Sequence, residues 1–367
     1  MKLSPKLILG EILVLVFLIG NFFFTAHTHR FRPASTTASP SNGETAFIKW
    51  VDFDVTAEAM RQALRYDVDT YQSELHFHWI ELLAWLGTKY GGDFSKYKEK
   101  DLEQLIEKLQ SGTTMAELTQ DSKYYSYYLE AYEAVLGGMV GIHKIQIPAS
   151  DSPATPGTDS EEMIWVTKYG LKAFLPLAKG FPYQDFDDFG AARSYGFRRQ
   201  HLGHDLTGQV GTPVIAIESG YVEAIGWNQY GGWRLGIRSF DKKRYYYYAH
   251  LRKNYPYFKT LTKGSVVQAG DVIGYLGRTG YSPTENTNNI EEPHLHFGIQ
   301  LIFDESQKEG ANEIWINCYE ITKFLTMNRA ATVKNPDTKE YYRVYQIKDP
   351  AVPGGAKEQN INHPASD

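Results

Sequence analysis

Cysteine is nearly absent from this chain: Cys318 stands alone among 367 residues. One thiol excludes an internal disulfide framework and any cysteine-based metal site. With no cysteine near the N-terminus, a lipoprotein is excluded as well. A long basic run is also missing and the formal net charge is −5, which argues against nucleic acid as a partner. Charged residues make up 22% and hydrophobic ones 42%, so most of the chain is expected to be globular, with room for two domains and a sizeable core. Aromatics are plentiful, with 26 Tyr and 7 Trp, and many fall near the histidine-bearing segments described below.

One long apolar run opens the chain. Lys2 and Lys6 precede Leu7 to Phe24, which is broken only by Glu11 and Asn21. Length and flanks fit a signal anchor over residues 1–26. A cleaved secretory signal is the alternative, although Phe24, Thr25, Ala26 and His27 offer no clean small-x-small site. In both cases the residues that follow are expected outside the cytoplasm. Residues 27–45, rich in Pro, Ser and Thr, read as a flexible linker.

Residues 46–148 carry a helical pattern. Leu75, Trp79, Leu82, Leu83 and Leu86 share one helix face, and Gly91-Gly92 stops that helix. Leu102, Leu105, Ile106 and Leu109 form a second stripe, and Thr114 with Glu117 resembles a capping box. A further stripe runs from Tyr125 to Leu136. A small all-α domain is expected here. After a polar linker at 149–164, short β-branched and aromatic runs alternate with glycine, the mark of an antiparallel all-β sandwich or barrel. This β domain is expected over 165–330 with its core at 185–305, and a helix near Ile314 to Leu325 packs on it. Residues 331–367 form a C-terminal extension, disordered after Lys348. The fold class is therefore α+β and multidomain.

The chemistry concentrates in His201-Leu-Gly-His-Asp205 and His294-Leu-His296. Zinc takes imidazole nitrogen and carboxylate oxygen, and catalytic zinc sites use three protein ligands plus a water. On a strand, His294 and His296 point to one face while Leu295 goes to the core. Gly203, Thr207-Gly208 and Gly211 make a helix improbable for His201 and Asp205, so a strand–turn presentation is expected. In Tyr245-Tyr-Tyr-Tyr-Ala-His250, strand parity groups Tyr246, Tyr248 and His250 on one face. His250 would then reach the metal site with Tyr246 and Tyr248 lining a groove. Spacing alone fits equally a strand-end histidine among core aromatics.

Other polar features have plainer readings. His76-Phe-His78 repeats the His-x-His spacing but sits in the helical region, where i and i+2 diverge by about 200°, so a structural or exposed pair is expected. His204 has the opposite strand parity to Asp205 and reads as a supporting or surface residue. Asp185, Asp187 and Asp188 resemble a hard-cation cluster but lack a calcium-loop register, which leaves loop solvation. Cys318 reads as a small buried apolar residue. Glu74 and Glu81 read as ordinary helix-surface acids rather than a second catalytic centre.

Four blocks in order carry a family resemblance: His-x-Gly-x-Asp with Gly-Thr-Pro, Tyr-Ala-His-Leu, Gly-Asp-Val-Ile-Gly-Tyr-x-Gly-x-Thr-Gly, and Pro-His-Leu-His-Phe. Over residues 199 to 300 the chain resembles the lysostaphin-type zinc endopeptidases of peptidoglycan. The resemblance does not reach the helical domain. It implies an antiparallel β core of the duplicated-hybrid-motif type with a groove, one Zn2+ per chain, and cleavage of peptide bonds in wall stems or cross-bridges. It also implies His201, Asp205 and His296 as zinc ligands and His250 and His294 as catalytic, non-ligand histidines. Peptidoglycan peptide and, through the N-terminal helix, the membrane are the implied partners; the helical domain has room for a spacer or partner-binding role. Two departures stand out: the turn before the final His-x-His is expanded into Ser282 to Glu292, and His204 stands where an aliphatic is common. A non-catalytic wall-binding protein and a biotinyl or lipoyl carrier are the competing classes. Gly264 to Gly280, with Val-x-x-Gly-Asp-Val-Ile-Gly, looks like the β folds of such carriers or of a sugar-phosphotransferase domain, yet no lysine stands in a Met-Lys-Met-like context, and all five His and Asp positions are intact.

Overall fold

Thr56 opens the first helix by accepting a hydrogen bond from the Ala59 N–H, a side-chain cap for an otherwise orphaned donor. The computed structural model describes residues 47–151, 162–194, 198–308 and 312–354. Residues 1–46, which hold the expected anchor and linker, and residues 355–367 lie outside the described residues. Among the described residues no helix is long and apolar enough to cross a membrane. Val51–Asp367 forms one compact unit.

The helical layer consists of α1 (Ala57–Thr70), α2 (Trp79–Tyr90), α3 (Glu99–Gln110), the short α4 (Met115–Thr119) and α5 (Tyr125–Leu136). Leu82, Leu83 and Leu86 of α2 and Val135 and Leu136 of α5 are buried against one another's layer, each contributing about 1.5–3 kcal/mol. Gly91, at φ 65, ends α2 in the left-handed conformation that only glycine adopts without penalty. The capping box read at Thr114 and Glu117 is closed in both directions. Leu75 departs from expectation: it is exposed and precedes α2 rather than belonging to it. The cause is Asp67 of α1, whose Oδ2 accepts the Trp79 N–H at 2.9 Å and fixes the start of α2 there. The all-α pattern also stops early, because Val140–Pro148 is strand β1. It pairs antiparallel along its whole length with β2 (Met163–Leu171), and Lys144 and Ile145 also pair with the strand Ile347–Lys348.

The second layer is antiparallel β. After β3 (Tyr183–Gln184) comes the hairpin β4 (Ala192–Ser194) and β5 (Arg198–Gln200), then β6 (His204–Gly208), β7 (Pro213–Ile215), β8 (Gly220–Asn228), β9 (Gly232–Ser239), β10 (Arg244–Ala249), β11 (Val266–Val267), β12 (Val272–Tyr275), β13 (His294–Leu301) and β14 (Ile314–Ile316). The main sheet runs β11-β8-β9-β10-β13-β6-β3, with β14 also on β13, while β7 pairs with β12 separately. Alternation puts Leu206, Leu235, Ile237, Leu295 and Phe297 in the core at essentially zero exposure.

Arg244 joins the layers. Its buried guanidinium donates from Nε to Glu218 Oε2 at 2.8 Å and from Nη1 to the Ala134 carbonyl at 2.7 Å, near the C-terminal end of α5 where a cation is favoured. The expected helix from Ile314 is shorter than its pattern suggested. Ile314–Ile316 pairs with Ile299–Leu301 as β14, and only Tyr319–Leu325 is helical (α6). Two β-branched residues flanking a tryptophan favour the sheet edge, and Asn317 Oδ1 then accepts the Tyr319 N–H at 2.9 Å to start the helix. Cys318 is fully buried at this junction. The disorder expected after Lys348 does not begin there: Asp349 is buried and pairs with Lys172 at 2.7 Å.

Candidate metal centre

Strand register builds the site. His296 lies directly opposite Asp205 across the β13–β6 pair, and His294 opposite Thr207. Opposed residues of antiparallel strands share a face, with Cβ atoms about 4.5–5.5 Å apart, so Asp205, His294 and His296 project together. His201 arrives from the segment before β6, held by its N–H to the Ala191 carbonyl at 2.9 Å. His201 Nε2 stands 3.0 Å from His296 Nδ1 and 3.1 Å from Asp205 Oδ1, and His296 Nδ1 is 2.9 Å from the same oxygen. His250 closes the group, its ring 4.8 Å from that of His294 and 5.8 Å from that of His296.

Hydrogen bonds on the far side of three of the rings set which nitrogen faces inward. His250 Nδ1–H donates to the Thr279 carbonyl at 2.9 Å, and His294 Nδ1–H to the Glu292 carbonyl at 2.8 Å. His201 Nδ1 meets Asp188 Oδ1 at 2.9 Å. Carbonyl and carboxylate oxygens only accept, so these nitrogens carry the protons and leave Nε2 lone pairs toward the site. Gly203 is required by proximity: a Cβ there would lie 2.5 Å from the His296 ring.

Electrostatics follow burial and neighbours. Burial would raise the Asp205 carboxyl, but the adjoining imidazoles of His201 and His296 outweigh it and hold the group far below the usual carboxylate range. For His201 burial acts downward, and the hydrogen bond and charge of Asp205, with the charge of Asp188, push it above the ordinary histidine value. Burial pushes His296 down despite Asp205. His250 is pushed well down, first by burial and then by His294 and His296, so it is neutral at physiological pH.

The donor set suits zinc. Tetrahedral zinc with bonds of about 2.0–2.1 Å separates its ligand atoms by roughly 3.3 Å, close to the separations seen here. Two imidazole lone pairs and a carboxylate oxygen that converge this tightly call for a cation among them.

Three assignments read from the sequence change. Tyr246 and Tyr248 do not line a groove. They pair with Ile299 and Phe297, are fully buried, and bond Glu218 and the Ile217 N–H with their hydroxyls. Tyr247 is on the site face instead, its ring 5.9 Å from that of His296. Parity fails at His250 because its φ is 61, a left-handed kink that turns the side chain off the tyrosine alternation and toward the site. The acids before the site are not simply solvated loop residues: Asp185 bonds the buried His204 at 3.0 Å, Asp187 accepts from Asn317 at 3.0 Å, and Asp188 orients His201. The usable signal was chemical, since a metal-facing histidine needs a partner on its other nitrogen. Arg199 and Tyr281 also went unread. Their side chains are bonded, with the guanidinium 4.8 Å from the Tyr281 ring centre and that ring 5.8 Å from His250. The expanded loop is tied down by Asn286, which accepts from Trp233 Nε1 at 2.9 Å and from the Asn254 N–H at 2.8 Å.

Residues 199–309 match the family model described as peptidase family M23. That segment is an M23 peptidase domain. An L-Ala–D-Glu endopeptidase of Bacillus subtilis (strain 168) is 40% identical over 131 residues, 35% of this chain and 38% of that protein. Lysostaphin of Staphylococcus simulans is 39% identical over 98 residues, 26% of this chain and 17% of that protein. The crystallised catalytic domain of lysostaphin from that species is 30% identical, with 38% of this chain and 92% of that domain covered at a TM-score of 0.30. The chain thus spans less than half the length of the curated relatives it matches. M23 domains are zinc metallopeptidases, and zinc is the cofactor of this one.

Proposed function

We propose that the M23 domain is a zinc-dependent endopeptidase that hydrolyses peptide bonds in peptidoglycan stems or cross-bridges. The observation that carries this reading is the convergence of His201, Asp205, His296, His250 and His294 on one face, with three Nε2 lone pairs turned inward. Sequence likeness to proteins named as L-Ala–D-Glu endopeptidase and lysostaphin supports the substrate class.

In this reading His201, Asp205 and His296 hold the metal, and Asp188 orients His201. Bound zinc lowers the pKa of a water and polarises a carbonyl. His250, neutral and buried, accepts a proton at Nε2, its Nδ1–H anchored on the Thr279 carbonyl. His294, anchored on the Glu292 carbonyl, meets the charge that develops on the substrate oxygen as the imidazolium, through its Nε2–H, and the proton taken up by His250 passes to the leaving amine. Arg199, packed on Tyr281 at the edge of the site, supplies a cation for a stem carboxylate.

We further propose, from the apolar run Leu7 to Phe24, that the domain works outside the cytoplasm, either tethered by residues 1–26 or released by signal cleavage, where its wall substrate is accessible. Digestion of defined muropeptides followed by sequencing of the fragments tests the reading: one regiospecific peptide cut is expected, and intact muropeptides would move the chain to the non-catalytic wall-binding class.

A further inference from the structure

The helical layer holds a second set of metal-type donors that shares no residue with the zinc centre. His76 and His78 precede α2 in irregular chain, so the helical divergence that would separate them does not apply. Their rings lie 4.2 Å apart. Asp67, on α1 and only 1% exposed, brings its Oδ1 to 2.8 Å from His76 Nε2. One donor atom from each of Asp67, His76 and His78 falls within 4.8 Å of the others.

The carboxylate is oriented as a ligand's would be. Tyr169 of β2 donates its hydroxyl to Asp67 Oδ1 at 2.6 Å, and the Trp79 N–H donates to Oδ2 at 2.9 Å. Tyr71 stacks on Tyr169 at 3.7 Å and meets the His76 ring edge-on at 5.5 Å, which fixes both partners. Such outer contacts hold ligand geometry in metal sites.

Beside the cluster lies a cavity of about 490 Å³, whose lining includes Asp67, His78, Tyr169, Glu81, Glu130 and Glu133. No Lys or Arg is among its described lining residues. A buried acid and two imidazoles beside an acid-rich cavity form a site for a divalent metal. Two histidines and one carboxylate leave coordination positions open, as in sites that bind a further ligand.

We propose that Asp67, His76 and His78 bind a divalent transition-metal cation of the zinc type, with its open position toward the Glu81–Glu130–Glu133 cavity. The metal would tie α1, the start of α2 and, through Tyr169, strand β2 into one unit.

The test is metal stoichiometry of the full chain, stripped with chelator, re-equilibrated with Zn2+ and measured by mass spectrometry for zinc per chain. His78 is exposed, so His78→Ala leaves the packing intact; His76→Ala is the second variant, with circular dichroism as the folding check. The expected result is that each variant loses one zinc equivalent relative to wild type, and that His296→Ala loses a different one, so that His78→Ala/His296→Ala retains none. If His78→Ala and His76→Ala hold as much zinc as wild type, the second site does not exist. An unchanged count in His296→Ala alone bears on the catalytic centre and not on this cluster.

Discussion

Asp188→Ala is the sharpest probe of how the zinc centre is held. Asp188 Oδ1 sits 2.9 Å from His201 Nδ1, and both side chains are under 8% exposed, at 7% and 6%. Removing the carboxylate frees the imidazole to rotate and to shift its proton to the metal-facing nitrogen. It also strips Arg193 of its ion-pair partner and leaves Asp205, 3.7 Å away, as the acid within reach, so a guanidinium competes with the metal for a ligand. Loss of such an outer partner costs about 10–100-fold in metal affinity, or about 1.4–2.7 kcal/mol. Competition against a chromophoric chelator at neutral pH measures the zinc dissociation constant directly. Asp188→Asn, which keeps an acceptor oxygen, should fall between Ala and wild type. Affinity unchanged in Asp188→Ala would refute the assigned role, whatever happens to activity.

Further consequences follow from the same geometry. His250→Ala should lower kcat on muropeptides by about 10²–10⁴-fold with zinc content unchanged, because the role proposed for His250 is proton acceptance and not ligation; metal analysis beside steady-state kinetics checks both halves. The folded-state pKa of His250 is lowered, so the folded protein binds this proton less readily than the unfolded chain does. Its contribution to stability is therefore present above about pH 6.5 and is lost as pH falls through the lowered folded value. In denaturant titrations of metal-stripped protein, wild type should lose more stability on acidification below that pH than His250→Gln; parallel curves would contradict the assignment. Glu218→Ala should destabilise the fold by about 3 kcal/mol, the low end for a broken buried pair, because Asp241 remains 2.7 Å from the Arg244 guanidinium. Chemical denaturation reads this out.

Much of the site was legible because strand alternation is a strict rule. His294 and His296 straddle Leu295, and period two alone puts both on the face that Asp205 shares. The same rule misplaced Tyr246 and Tyr248, since one left-handed residue at His250 breaks parity where the strand ends. Propensity alone could not foresee that kink. The helices of the first layer were readable from their apolar stripes. Their boundaries were set by contacts remote in sequence, such as Asp67 with the Trp79 N–H. His76 and His78 were expected to diverge on a helix for that reason, whereas they lie ahead of it and their rings adjoin. Asp188 was read as a solvated loop acid because its partner, His201, is 13 residues away and no periodicity links a loop acid to a histidine's outer nitrogen.

The central claim is that a zinc held by His201, Asp205 and His296 makes this domain a wall peptidase. The most direct measurement follows release of new amino termini from purified peptidoglycan by the full chain, with zinc bound, after chelation, after zinc is returned, and in His296→Ala. The account predicts cleavage that chelation abolishes and zinc restores, with His296→Ala inactive throughout. Cleavage that survives chelation, or that His296→Ala retains, would contradict it.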